Sequence, residues 1–206
     1  MYEVCGQGFR IKRTEGFGKP LSQKFFAVAL FGLRRVGKTR LLLEFIKSKG
    51  LYFFINKNKT SADLLSEFQE ILKKNNVLGK LEAIDSWDKF FETIIKRNTL
   101  PVVFDEFQNF GSVEHSVFGI LQKNIDLNEN NPGLFIFSGS LIGLMKNLFK
   151  SSKEPLYGRI KKAIKLEPLK FESCLEFGQH KVIPLIPHHT SKQSLGFHQE
   201  SHVFMP

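Results

Sequence analysis

Gly32-Leu33-Arg34-Arg35-Val36-Gly37-Lys38-Thr39 sets two glycines five positions apart and follows the second with a lysine and a hydroxyl. This is the spacing G-x-x-x-x-G-K-[ST] of a phosphate-binding loop, in which glycine allows a tight turn and a close approach of the backbone to an anion. Backbone N–H groups of such a loop surround a β-phosphate, and the amides that open the following helix add further donors. Lys38 would reach the β- and γ-phosphates, and the Thr39 hydroxyl would complete a Mg²⁺ shell. The candidate nucleotide-contacting set is therefore Gly32, Leu33, Arg34, Arg35, Val36, Gly37, Lys38, Thr39 and Arg40. Arg34 and Arg35 read equally well as solvent-facing residues that add only positive potential.

Two more stretches carry suitable chemistry. Asp105 and Glu106 close the apolar run Leu100 to Phe104. An aspartate there can hold Mg²⁺, directly or through water, and the adjacent glutamate can orient and polarise an attacking water. Ser138-Gly139-Ser140 closes the run Leu134 to Phe137. One of these hydroxyls can meet the attacking water or the γ-phosphate, Ser138 being the favoured choice, or either can cap the helix that starts near Leu141.

The elements that must position these groups follow from apolar patterning. FFAVALF (Phe25 to Phe31), LYFFI (Leu51 to Ile55), LPVVF, LFIF and the short Ala163 to Leu166 read as strands. The longer runs are apolar on both faces, as in a parallel sheet covered on each side. Between them, Thr39 to Lys49 (TRLLLEFIKSK), Thr60 to Lys74, Asp85 to Lys96 and His115 to Ile125 show helical spacing. Asp85 is the expected cap of the third of these, with Asp88 in its acidic first turn. Asp126 to Gly133 reads as a polar turn, and Phe171 to Phe177 as the start of one more helix. The expected fold class is α/β: a three-layer α/β/α sandwich with a mainly parallel central sheet, of the P-loop NTPase type. Ligands of such sheets bind at the carboxyl ends of the strands. All three chemical stretches fall at such ends.

The 206 residues suffice for one α/β domain, and 22 phenylalanines favour a packed core over disorder. The expected organisation is an irregular segment over 1–23, the domain over 24–178 and an irregular tail over 179–206. The net charge of +10 permits an acidic partner such as DNA, although an ordinary solvated surface explains it as well. Cys5 and Cys174 are the two cysteines and match no metal or disulfide framework. His188, His189, His198 and His202 lack acidic or cysteine partners, so no metal site is expected there. No apolar run reaches the roughly 18–20 residues of a membrane span, and the N-terminus lacks a signal peptide's apolar core. A cytoplasmic location is expected by elimination.

FGLRRVGKTRLLLEF, SWDKFFE, VVFDEFQNF, FIFSGSLIGLM and EPLYGRIKKAIKLEPL occur in an order and spacing that resemble the archaeal-type ATPase family. This is a branch of the P-loop ATPases related to the AAA+ and STAND groups, and the resemblance covers about Lys24 to Gly178. It implies ATP with Mg²⁺ as ligands, with Lys38 and Thr39 on phosphate and metal, Asp105 on the metal and Glu106 on the water. Ser138 or Ser140 falls in the sensor region. Arg159, in PLYGR, matches a nucleotide-state sensor or an interface arginine, either of which stabilises transition-state charge at the γ-phosphate. The resemblance also implies a phosphate-loop strand flanked by the Asp-Glu strand and the strand that ends in the sensor. Two features depart from the family. EGFGKPLSQ replaces the usual acidic segment of the kind FVNRE, and the irregular tail stands where members commonly continue into helical, winged-helix-like and nuclease-like regions. A shortened member is expected, with ATP binding better supported than turnover.

The expected function is Mg²⁺-dependent ATP binding with hydrolysis to ADP and phosphate by a water nucleophile. Lys38, Glu106, Ser138 and Arg159 are its candidate catalytic residues. The alternative is a nucleotide-controlled module that binds protein, DNA or a second copy of itself with little turnover. A small-molecule kinase ranks third, since no acceptor pocket is readable.

Overall fold

The computed structural model describes residues 24–47 and 49–168, and within them the apolar runs pair into a five-stranded sheet. β1 spans Phe25–Gly32, β2 Leu51–Phe54, β3 Val102–Asp105, β4 Gly133–Gly139 and β5 Lys162–Leu166. The order is β2-β3-β4-β1-β5, and each neighbouring pair is parallel. Parallel neighbours need crossovers. These are supplied by α1 (Lys38–Ile46), α2 (Ser61–Lys74), α3 (Trp87–Arg97), the short α4 (Phe110–Val113), α5 (Val117–Leu127) and α6 (Ile142–Lys150). The result is the expected three-layer α/β/α fold.

One topological expectation is corrected. The Asp-Glu strand β3 does not flank β1; β4 lies between them, and β5 takes the other flank. β1 and β4 are the two longest strands and share a ladder from Phe25↔Gly133 to Phe31↔Gly139, so their pairing forms the centre of the sheet. The consequence for the site is direct: the carboxyl end of β4, with Ser140 just beyond it, lies between the strands that carry the phosphate loop and Asp105.

Strand alternation sorts the side chains between two cores. Phe31, Phe53, Phe104, Phe135 and Phe137 face α2, α3, α5 and α6, and join Phe68, Trp87, Phe90 and Phe107 in an aromatic cluster. Leu30, Val103, Ile136 and Leu166 face the other way, under Leu42 and Ile46 of α1. Phe104 sits centrally in the larger core, with ring centroids 5.3 Å from Phe53, 5.7 Å from Phe137 and 5.9 Å from Phe91. Phe104→Ala is expected to destabilise the fold by about 3–5 kcal/mol, read as a lowered midpoint in urea unfolding. Phe104 is the neighbour of Asp105 in β3 with its ring in the core, which makes the substitution a control for indirect loss of the site.

Local chemistry sets the helix boundaries. Thr60 and Asp63 form a reciprocal capping box that starts α2. At α3 the cap is Ser86, whose side chain accepts from the Lys89 N–H, rather than the expected Asp85. Asp85 instead accepts a hydrogen bond from the Ser86 hydroxyl at 3.2 Å. α5 begins and ends two residues later than expected, which shortens the polar turn. A 3-10 turn over Phe107–Asn109 and α4 fill a stretch with no assigned element. No described helix is long and apolar enough to cross a membrane. The expected helix at 171–177, both cysteines and the tail histidines lie outside the described residues.

Candidate functional site

The phosphate loop begins where Gly32 leaves the sheet against β5. A Cβ on Gly32 would lie 2.4 Å from the Leu166 carbonyl oxygen, so a side chain there would push the two strands apart. The loop then turns through Arg35 at φ 64° and Gly37 at φ 91°. Gly37 is the N-cap of α1 and supplies no side-chain acceptor, which leaves the first amides of the helix available to an anion. A Cβ on Gly37 would meet nothing within 4 Å, so it is the positive φ and not crowding that calls for glycine here.

Lys38 is buried, at 6% exposure, and folds back over this space. Its ammonium donates to the carbonyls of Gly32 and Leu33, each at 2.8 Å. Burial lowers its pKa; the Glu106 and Asp105 carboxylates oppose that shift and Arg34 reinforces it. Thr39 donates its hydroxyl to Asp105 Oδ2 at 2.7 Å, which ties the loop to the end of β3.

Asp105 is almost wholly buried and fully used on one oxygen. Oδ2 also accepts from the Tyr52 hydroxyl at 2.8 Å, and Oδ1 accepts from the Glu106 N–H at 3.0 Å. Burial, followed by the Asp105 charge and this hydrogen bond, pushes the Tyr52 phenol well above its ordinary pKa, so it stays a donor. Glu106 itself stands in the left-handed region, at φ 55° and ψ 41°, which turns its side chain away from that of Asp105. Its Oε2 accepts from the Ser140 hydroxyl at 2.8 Å and from the Gln108 amide.

The structure thus brings Lys38, Thr39, Asp105, Glu106 and Ser140 to one edge of the sheet. Ser138 is fully buried inside β4, and its hydroxyl has no partner among the described residues. The serine that reaches Glu106 is Ser140, one step beyond the strand. Neither serine caps α6, whose N-cap is Leu141. Arg34, Arg35 and Arg40 are exposed and line a cleft of about 570 Å³ with Lys38, Thr39 and Glu106. Leu33 is exposed, and Val36 packs against the smaller core.

Arg159 is not brought to this edge. It donates through Nε and Nη2 to Asp126 at 2.8 and 2.6 Å, and through Nη1 to the Pro155 and Tyr157 carbonyls. The reason is directional: β5 runs parallel to β1, so the residues entering it lie at the opposite edge, where the Lys161 N–H meets the Ala27 carbonyl. Within its own chain, Arg159 fastens the entry of β5 to the end of α5.

Tyr52 and Gln108 escaped the sequence reading. The signal for Tyr52 was a phenol inside an otherwise hydrocarbon strand, since a buried hydroxyl needs a partner. Gln108 carried no comparable signal.

The donor set fits a divalent cation that arrives with a nucleotide. Thr39 and Asp105 offer hard oxygens beside the phosphate cradle, and Mg²⁺ takes few protein ligands besides phosphate and water oxygens. Among the described residues no group of three or more His, Cys, Asp or Glu could hold a metal on its own.

A strand, glycine loop and helix that enclose a lysine, with a hydroxyl–carboxylate pair at the same parallel-sheet edge, define a P-loop ATPase domain. The chain belongs to the AAA domain family, whose model matches residues 24–175. It is 29% identical over 158 residues to the uncharacterized protein MJECL04 of Methanocaldococcus jannaschii, a match that covers 76% of this chain and 34% of that protein. It is also similar to the Walker-type ATPase PABY2304 of Pyrococcus abyssi, with a TM-score of 0.59 and 22% identity over 75% of this chain and 52% of that one. At that identity the likeness is one of fold. The chain thus spans about a third of the curated relative and half of the structural one. Nucleotide binding is the activity that the family membership supports.

Proposed function

We propose that this domain binds ATP together with Mg²⁺ and hydrolyses it to ADP and phosphate. The observation that carries the reading is the 2.7 Å hydrogen bond from Thr39 to Asp105, which joins the phosphate loop to the carboxylate pair of β3. Loop amides and Lys38 would bind the β- and γ-phosphates, and the Thr39 hydroxyl and Asp105 would hold the cation. When bound, Mg²⁺ would neutralise charge that builds on the phosphate oxygens.

Glu106 would orient a water against the γ-phosphorus and take its proton as the new P–O bond forms and the bond to the β–γ bridging oxygen breaks. The bridging oxygen leaves on ADP with the bond's electron pair. Ser140 and Gln108 fix the direction of the Glu106 carboxylate, which is the geometric requirement for a general base. The Lys38 ammonium would face the transferring group and stabilise it electrostatically.

One observation favours a second reading, a nucleotide-controlled module for a protein, DNA or self-association partner. The side chains of Arg34, Arg35, Arg40 and Lys57 line the same cleft and make no side-chain hydrogen bond or ion pair among the described residues.

Equilibrium binding of ATP, ADP and GTP, in Mg²⁺ and in EDTA, followed by phosphate release without an added acceptor, separates these readings. Tighter ATP binding with Mg²⁺ and steady release are expected. Binding without release would move the assignment to the controlled module. Failure of every nucleotide to bind would overturn both.

A further inference from the structure

The proposed metal role of Asp105 needs a carboxylate held in one orientation, and the structure supplies a holder that the reaction does not itself require. An ionised carboxylate has about four lone-pair sites. On Asp105, three are occupied: the Thr39 and Tyr52 hydroxyls share Oδ2, at 2.7 and 2.8 Å, and the Glu106 N–H uses Oδ1. Thr39 and Glu106 have roles of their own at the site. Tyr52 touches the site through this bond and through the Thr39 hydroxyl, which is bound to the same carboxylate oxygen.

Sheet geometry explains how it reaches. Phe54 is the register partner of Asp105, and Tyr52 that of Val103, so Tyr52 and Asp105 are diagonal neighbours on one face. Diagonal neighbours lie within range of long side chains, and a phenol spans the gap where serine or threonine would not. The ring is half-buried and packs against the smaller core, so its own orientation is fixed. A fixed donor on one oxygen determines how the other can turn.

We infer that Tyr52 is a positioning residue for the cation end of the site, acting through Asp105 rather than touching nucleotide. The inference rests on the Mg²⁺–nucleotide reading above and adds the residue that sets the orientation of its carboxylate. Tyr52 thereby joins a further strand, β2, to a site otherwise built from the phosphate loop and the ends of β3 and β4.

Tyr52→Phe keeps the ring and removes only the hydroxyl. The readout is the Mg²⁺ concentration at which a fluorescent ATP analogue gains affinity, measured beside its affinity in EDTA and the thermal midpoint of the free protein. The expected result is a Mg²⁺ requirement raised about tenfold, in the range typical for losing a residue that orients a metal ligand. EDTA affinity is expected to stay within about twofold, below the scale of a lost charged hydrogen bond. A second comparison isolates the route: in an Asp105→Asn background, adding Tyr52→Phe should change the Mg²⁺ requirement no further, because both act through one carboxylate. An unchanged Mg²⁺ requirement in Tyr52→Phe overturns the inference. So does an equal loss of affinity in EDTA, or a full additive effect in the Asp105→Asn background. If the wild type binds nucleotide with no Mg²⁺ dependence, the metal reading fails and this inference falls with it. A Mg²⁺-dependent wild type with an unaffected Tyr52→Phe removes the inference alone.

Discussion

Lys38→Ala is expected to weaken ATP binding by about a hundredfold or more, on the scale of one or two charge-assisted hydrogen bonds at about 1.5–3 kcal/mol each. Lys38 offers three ammonium donors, and two meet the Gly32 and Leu33 carbonyls. The remaining donor and the full charge are available to phosphate, in a setting where burial already works against the charged form. A triphosphate would reverse that tension by supplying negative charge beside the ammonium. Alanine loses the phosphate contact and also two bonds that hold the loop closed over its cradle. Those losses are separable by measurement, because thermal unfolding of the free protein reads the bonds to the Gly32 and Leu33 carbonyls and titration reads the phosphate contact. Lys38→Arg is expected to fail nearly as badly, since a planar guanidinium cannot replace a compact ammonium between two carbonyls. Calorimetric titration with ATP decides the matter. Binding within threefold of wild type, for a folded Lys38→Ala, would remove the phosphate loop from the site.

The phosphate loop was the most legible part of the site because its parts are contiguous. Eight residues from Gly32 to Thr39 carry the turn, the charge and the hydroxyl, and no long-range contact is needed to see them. Asp105 and Glu106 were visible for a related reason: an apolar run that stops abruptly on acids marks a strand end. The serines were harder, because the choice between them turns on where β4 stops. The run LFIF suggested an end at Phe137, but the strand continues through Gly139. That extension buries Ser138 within the sheet and leaves Ser140 first beyond it, where it reaches Glu106. Glycine at 139 is itself part of that junction, since a Cβ there would lie 2.3 Å from Gln108 Oε1 and 2.5 Å from Met145 Sδ.

Strand order and edge were least legible. Apolar runs mark which segments form strands and not which of them pair, so β4 entering between β1 and β3 has no signal in the sequence order. Arg159 shows the same limit from another side. Its local pattern, PLYGR, says nothing about whether the residues before β5 lie at the phosphate edge or the opposite one. Strand direction decides that, and it places the guanidinium on Asp126. Tyr52 and Gln108 were missed because their chemistry exists only in partners 53 and two positions away, brought together by the sheet and by a left-handed backbone at Glu106.

Glu106→Gln should separate binding from turnover. The amide keeps the size of the side chain, and its carbonyl oxygen can still accept from Ser140 and Gln108, so the left-handed turn and the contacts across β4 persist. What disappears is the ability to take a proton from water. Phosphate release is therefore expected to fall about 10²- to 10⁴-fold, the usual contribution of a positioned general base. ATP affinity in Mg²⁺ should stay the same or rise, because a negative charge has been removed from the neighbourhood of the γ-phosphate. Single-turnover release and equilibrium titration on the same preparation check both halves. Release at the wild-type rate would take the base role away from Glu106. A loss of affinity equal to the loss of rate would make Glu106 a binding residue, whose bonds to Ser140 and Gln108 serve only to shape the end of β3. The base assignment requires the two measurements to diverge, and the geometry gives the reason they should: an amide can keep the hydrogen bonds that the Glu106 side chain accepts from Ser140 and Gln108, while it cannot accept the proton.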